Sequence, residues 1–199
     1  VFYDFQAVNK LEFSSQKYKT AEQIRLEYPK LQEQYAQARF PEEIAQQLRE
    51  ILREVGKTPL IVRSSSLLED NFGMSFAGKY ISIFCPNQGT IKENLRDLTL
   101  AIRRTYASVL GPDALMYRRR MGLLDYDERM AILLQEVQGG RHRQYYFPAA
   151  AGVAYSYSPI VWNTRLKREE GFMRLVMGLG TRAVDRIAND YPRMVNLSH

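Results

Sequence analysis

The densest group of anion-holding side chains is Val62-Arg63-Ser64-Ser65-Ser66-Leu67-Leu68-Glu69-Asp70, followed by Ser75-Phe76-Ala77-Gly78-Lys79. Arginine offers a planar fork of N–H donors and the serines add hydroxyls. Small residues let main-chain N–H groups come close, and phosphate oxygens need that combination. Composition alone does not demand it: a turn in which Arg63 pairs with Glu69 or Asp70 uses the same residues and is the plainer reading. Arg118-Arg119-Arg120 and Arg141-His142-Arg143 are further basic runs. For either one alone, a solvated charged face is the simplest account.

The elements that must carry these groups alternate between two periods. Thr20 reads as the cap of a helix beginning Ala21-Glu22-Gln23-Ile24, with Pro29 interrupting it. After Pro41, the residues Ile44, Leu48, Ile51, Leu52 and Val55 form an amphipathic stripe closed by Gly56. Pro59-Leu60-Ile61-Val62 reads as a buried strand running into a polar loop at Arg63–Ser66, and Tyr80 to Phe84 as a second strand. Thr90 caps a long helix with Ile91, Leu95, Leu98, Ile102 and Tyr106 on one side, stopped by Gly111-Pro112. A short helix around 114–121 follows, then apolar runs at 130–134, 151–155 and 173–177. The fold class expected is α+β, a mixed sheet with flanking helices. A helical segment over 1–56 precedes a sheet-bearing region over 57–199.

With 199 residues, 45% of them apolar and 12% aromatic, the chain can bury a real core. The lone Cys85 rules out an internal disulfide and a Cys-rich zinc site, and a reducing, cytoplasmic setting is expected. No apolar run reaches the roughly 20 residues of a membrane span. The start Val1-Phe2-Tyr3-Asp4 has neither an initiator Met nor the order of a signal peptide, so the chain reads as a fragment. The net charge of +6 invites anionic partners. Nucleotide phosphates fit; a basic nucleic-acid-binding module is the less expected alternative, because the 13 tyrosines follow no repeat of stacking positions.

The Val-Arg-Ser-Ser, Glu-Asp and Ser-Phe-Ala-Gly order over residues 62–78 resembles the N-terminal nucleotide-binding domain of phosphoenolpyruvate synthases, pyruvate phosphate dikinases and the related rifampin phosphotransferases. Later features keep the family's order. Ala114-Leu115-Met116-Tyr117-Arg118 is similar to its helix ending in Tyr-Arg, and Met130 to Val137 to its strand ending in Gln and an apolar residue. Ala151-Gly152-Val153-Ala154-Tyr155-Ser156-Tyr157-Ser158-Pro159 is similar to its Ala-Gly-Val segment, and Gly178-Leu179-Gly180 to its Gly-Leu-Gly. The resemblance covers about residues 59 to 188 and implies a partial, ATP-grasp-like domain that binds ATP. It implies that Arg63 and Arg118 contact the phosphates, that Ser75, Phe76, Ala77 and Gly78 lie over them, and that Gln135 and Glu136 edge the adenine pocket. In the family, phosphate passes from ATP to a carrier histidine in a mobile domain and then to pyruvate in another domain. Both would be partners within a larger parent chain. A degenerate nucleotide sensor or scaffold without turnover is the alternative.

Two positions depart from the pattern. The family places one carboxylate shortly before Gly-Leu-Gly and another acidic residue after it, for Mg2+; here Arg174 and Thr181 stand at those places, and arginine cannot ligate magnesium. Glu169 and Glu170 lie upstream, where a solvated charge cluster is the plainer account. The family's Thr-x-x-Gly-Gly-x-x-x-His pattern is absent. His142 therefore reads as a surface-turn residue, and the lone Trp162 as a loop anchor.

Overall fold

Thr20 and Thr90 each close a capping box: the threonine hydroxyl accepts from the main-chain N–H three residues on, while the Gln23 or Glu93 side chain accepts from the threonine N–H. They start helices α2 (Ala21–Gln37) and α4 (Ile91–Ala107). Helix α1 spans Phe2–Val8 and α3 spans Glu42–Val55; Gly56, with φ of 67°, takes the left-handed conformation that ends α3. The computed structural model describes residues 1–11, 16–69, 78–158, 161, 167–180 and 191–197.

Pro29 does not interrupt α2. It sits inside the helix on an exposed position, while Ile24, Leu31 and Tyr35 are buried on the other side. Burial of a large apolar side chain contributes about 1.5–3 kcal/mol. Three such side chains offset the roughly 3 kcal/mol cost of an interior proline.

The chain divides into two compact units, Val1–Val137 and Gln138–His199. In the first, α2 and α3 pack on α4, and α4 packs on strands β1 (Leu60–Ser66) and β2 (Ile83–Cys85). Helix α5 (Pro112–Arg120) begins with a proline at its first turn and leads through residues 121–129 into β3 (Met130–Glu136). The sheet order is β2-β1-β3, with both pairings antiparallel. One core runs from Phe2 and Phe5 of α1 through Tyr35, Leu48, Leu52, Leu98 and Tyr106 to Leu60, Val62 and Met130. Helical segment 1–56 thus shares its interior with the sheet.

In the second unit, β4 (Gly140–His142) and β5 (Tyr145–Phe147) form a hairpin, and β6 (Ala150–Tyr155), β7 (Phe172–Met177) and β8 (Arg193–Asn196) form an antiparallel sheet in that order. Gly152 is required by close strand approach: a Cβ there would lie 2.4 Å from the Arg174 carbonyl oxygen. The α+β architecture expected from the sequence is present, and every described strand pairing is antiparallel.

Candidate functional site

Arg63 lies within a strand, not in a loop after one. β1 continues through Ser66 because all seven of its residues pair with β3, Arg63 opposite Leu133. Side chains alternate across a strand. Leu60, Val62 and Ser66 are buried against the helices, whereas Ile61, Arg63 and Ser65 share the open face. Cross-strand partners share a face, so Phe84, Ala131, Leu133 and Gln135 stand there too. Phe84 is 40% exposed and Leu133 42%. A cation thus stands beside apolar surface on an open sheet.

The guanidinium of Arg63 donates to the Gln135 amide oxygen Oε1 at 2.9 Å and enters no ion pair among the described residues. The plain reading of the turn does not hold for Glu69: its carboxylate accepts from Ser64 Oγ at 2.9 Å and from the Ser66 N–H at 3.0 Å. Glu69 closes the turn after β1 and leaves the Arg63 donors to Gln135 and solvent. Gln135 is the residue the sequence placed at a pocket edge; Glu136 is exposed at the end of β3, one residue further and therefore on the other side of the strand. Phe84, Ile61 and Leu133 were not singled out from the sequence. The signal was their period-2 spacing, legible only once the register with β3 is known.

Arg118 has a different setting. It is 2% exposed; its Nε donates to the Leu123 carbonyl at 3.3 Å, and its Nη2 donates to the carbonyls of Leu124 at 3.3 Å and Tyr126 at 2.6 Å. Arg119 donates to the carbonyls of Lys17 and Lys19 at 3.0 and 2.6 Å. The basic run at the end of α5 therefore gathers main-chain oxygens, which the last turn of a helix favours for cations. Residues 123–129 are held further by Tyr18 on Asp125 at 2.6 Å and by Tyr3 on Asp127. Beside this cage, Tyr80 donates to Glu128 Oε2 at 2.7 Å, while Glu128 Oε1 has no hydrogen-bond partner among the described residues. Burial pushes the Glu128 carboxyl above the usual carboxylate range, and burial together with the Glu128 contact pushes the Tyr80 phenol up.

Ser75, Phe76 and Ala77 lie outside the described residues, as do Asp70, Trp162, Thr181 and His199; Gly78 is exposed, with φ of 73°. Arg174 sits at the centre of β7 between Val153 of β6 and Met194 of β8. A cation between two apolar side chains does not fit magnesium, which takes oxygen ligands. Among the described residues, no group of three or more His, Cys, Asp or Glu side chains could hold a metal ion. A cavity of about 380 Å³ in the first unit is lined by Phe40, Ile44, Leu48, Tyr106, Ile132 and Leu134, among other apolar residues. It lacks the cationic side chains a phosphate would need. No helix among the described residues is long and apolar enough to cross a membrane.

The first unit thus presents an arginine and an amide on an open, partly apolar sheet face. Residues 3–199 match the family described as pyruvate phosphate dikinase, AMP/ATP-binding domain, and the chain belongs to that family. It is similar to a rifampicin phosphotransferase of Streptomyces sviceus, at 29% identity over 154 residues. That match covers 75% of this chain and 15% of the relative's length.

Proposed function

We propose that the chain binds ATP on the open face of β2-β1-β3, as the nucleotide-binding part of a phosphotransferase. The observation that carries this is the setting of Arg63: a guanidinium held at one corner by Gln135, in no ion pair among the described residues, next to Ile61, Phe84 and Leu133. The arginine fork would take phosphate oxygens and the apolar side chains the adenine ring, with Gln135 at its edge and the segment Ser75–Gly78 over the phosphates; Glu136, on the other side of β3, does not join this face. Phosphoryl transfer to a carrier histidine in another domain of a parent chain, and onward to pyruvate or another acceptor, follows the resemblance. Such chemistry rests on charge neutralisation and alignment, which preset cations supply without acid–base residues. Arg118 serves the site in this reading through residues 123–126, which it fixes ahead of β3. A direct phosphate contact by Arg118 requires its guanidinium to leave three carbonyls.

A second reading, a nucleotide sensor or scaffold without turnover, is favoured by Arg174 at the centre of β7. Calorimetric titration with ATP, with and without magnesium, tests both readings. Saturable heat that Arg63→Ala abolishes supports the site, and binding indifferent to magnesium supports the sensor. Heat unchanged in Arg63→Ala rejects the site. Magnesium-dependent binding that appears only in Arg174→Glu would mark the native site as one that has given up its metal.

A further inference from the structure

Between Glu136 and Glu169 the sequence has no acidic residue and five basic ones: Arg141, Arg143, Arg165, Lys167 and Arg168. Two of these stand on the β4–β5 hairpin, where residues Gly140 to Tyr145 are all exposed. Pairing orders the aromatic residues that show no repeat in the sequence. Arg141 stands opposite Tyr146 on one face of the hairpin, while Gly140, His142, Tyr145 and Phe147 share the other, His142 opposite Tyr145 and Gly140 opposite Phe147. Gly140 has no side chain to cover Phe147. His142 therefore leans diagonally onto that ring, stacked at 4.4 Å between centroids and 20° between planes. Tyr145 extends the row and is 62% exposed.

The tip is shaped as well as charged. Arg143 adopts a φ of 57°, a left-handed conformation uncommon for a side-chain-bearing residue, and its carbonyl accepts from Arg141 Nε at 3.2 Å. Neither arginine enters an ion pair among the described residues. A hairpin meant only for solubility needs no row of rings, and one meant for an apolar partner needs no unopposed cations at its tip. Rings on one face and guanidinium groups at the turn and the opposite face match a strand of bases with a phosphate backbone: the bases stack on flat side chains while the cations neutralise the phosphates. An acidic peptide would satisfy the arginines and leave Tyr145 and His142 unused.

We propose that this hairpin is a binding site for single-stranded nucleic acid, separate from the ATP site. The test is fluorescence anisotropy of the whole chain with a labelled oligouridylate of about a dozen nucleotides, a length within the span of known single-strand modules, over a range of salt. The wild type should bind, with affinity falling as salt rises. Arg141→Gln with Arg143→Gln should reduce the log–log salt slope by about 1.4, at about 0.7 per phosphate contact on a single strand. Tyr145→Leu should weaken binding by about tenfold, the effect of one lost stacking partner, and leave the slope unchanged. Both variants should keep the wild-type response to ATP. No binding at low salt overturns the proposal. Equal binding of heparin, with Tyr145→Leu behaving as wild type, overturns it in favour of bare charge attraction. Loss of oligonucleotide binding in Arg63→Ala, with full competition by ATP, overturns it by placing the oligonucleotide in the nucleotide site. ATP binding that fails while the hairpin result stands leaves this inference intact.

Discussion

The open face around Arg63 and the closed cage around Arg118 use the same side chain for opposite ends. Arg63 stands on a strand, exposed, with one amide as neighbour. Arg118 is at the end of a helix, 2% exposed, with three main-chain carbonyls around it. A guanidinium surrounded by protein oxygens holds structure. One that keeps most of its donors toward solvent is available to a ligand. Both residues carry the same motif-level expectation of phosphate contact, and only their surroundings separate them.

The largest effect expected from this contrast is on stability. Arg118→Ala should cost about 3 kcal/mol, because it orphans three carbonyls and empties a buried site. Thermal unfolding should register a fall of about 10 °C for a chain of this size. Arg118→Lys should recover little of it, since a single ammonium cannot reproduce the fork. A stable Arg118→Ala protein would dissolve the contrast.

Removing the Thr90 hydroxyl, in Thr90→Ala, should cost about 1 kcal/mol by breaking the capping box of α4, the helix packed on β1 and β2. Urea unfolding measures it.

The cage adjoins a buried carboxyl as well as holding a cation. The raised Glu128 carboxyl means that the folded state holds its proton more tightly than the unfolded chain does. Its contribution to stability is complete below the ordinary carboxylate range and is lost as pH rises through the folded value. Glu128→Gln should lack that decline while keeping an acceptor for Tyr80, so the stability difference between variant and wild type should move in the variant's favour with rising pH. Parallel pH profiles would show that Glu128 is charged in both states. The smallest stability effect should be that of Arg63→Ala, within about 0.5 kcal/mol of wild type.

Local signals were legible in the sequence and long-range ones were not. Thr90 announces its helix because the capping partner Glu93 lies three residues away. The stripe of Leu98, Ile102 and Tyr106 is likewise written at one period, and all three are buried. Arg63 reads as a loop residue because Arg-Ser-Ser-Ser is polar; what makes it strand is pairing with residues 130–133, far along the chain. For the same reason the hairpin at 140–147 reads as a turn with a basic run, and the short strand Arg193–Asn196 carries no signal until β7 is beside it. The motif around Arg63 pointed to phosphate chemistry by resemblance. The apolar neighbours Phe84 and Leu133, which suit that face to a ring as well as to an anion, required the register.

Side-by-side measurement of urea-unfolding midpoint and ATP dissociation constant for wild type and Arg63→Ala tests the central claim most directly. Arg63→Ala should leave the midpoint unchanged and weaken ATP affinity by at least about tenfold, the loss of one charge-assisted contact. An unchanged dissociation constant, or a midpoint that falls with it, would contradict the assignment of Arg63 as the ligand-facing arginine.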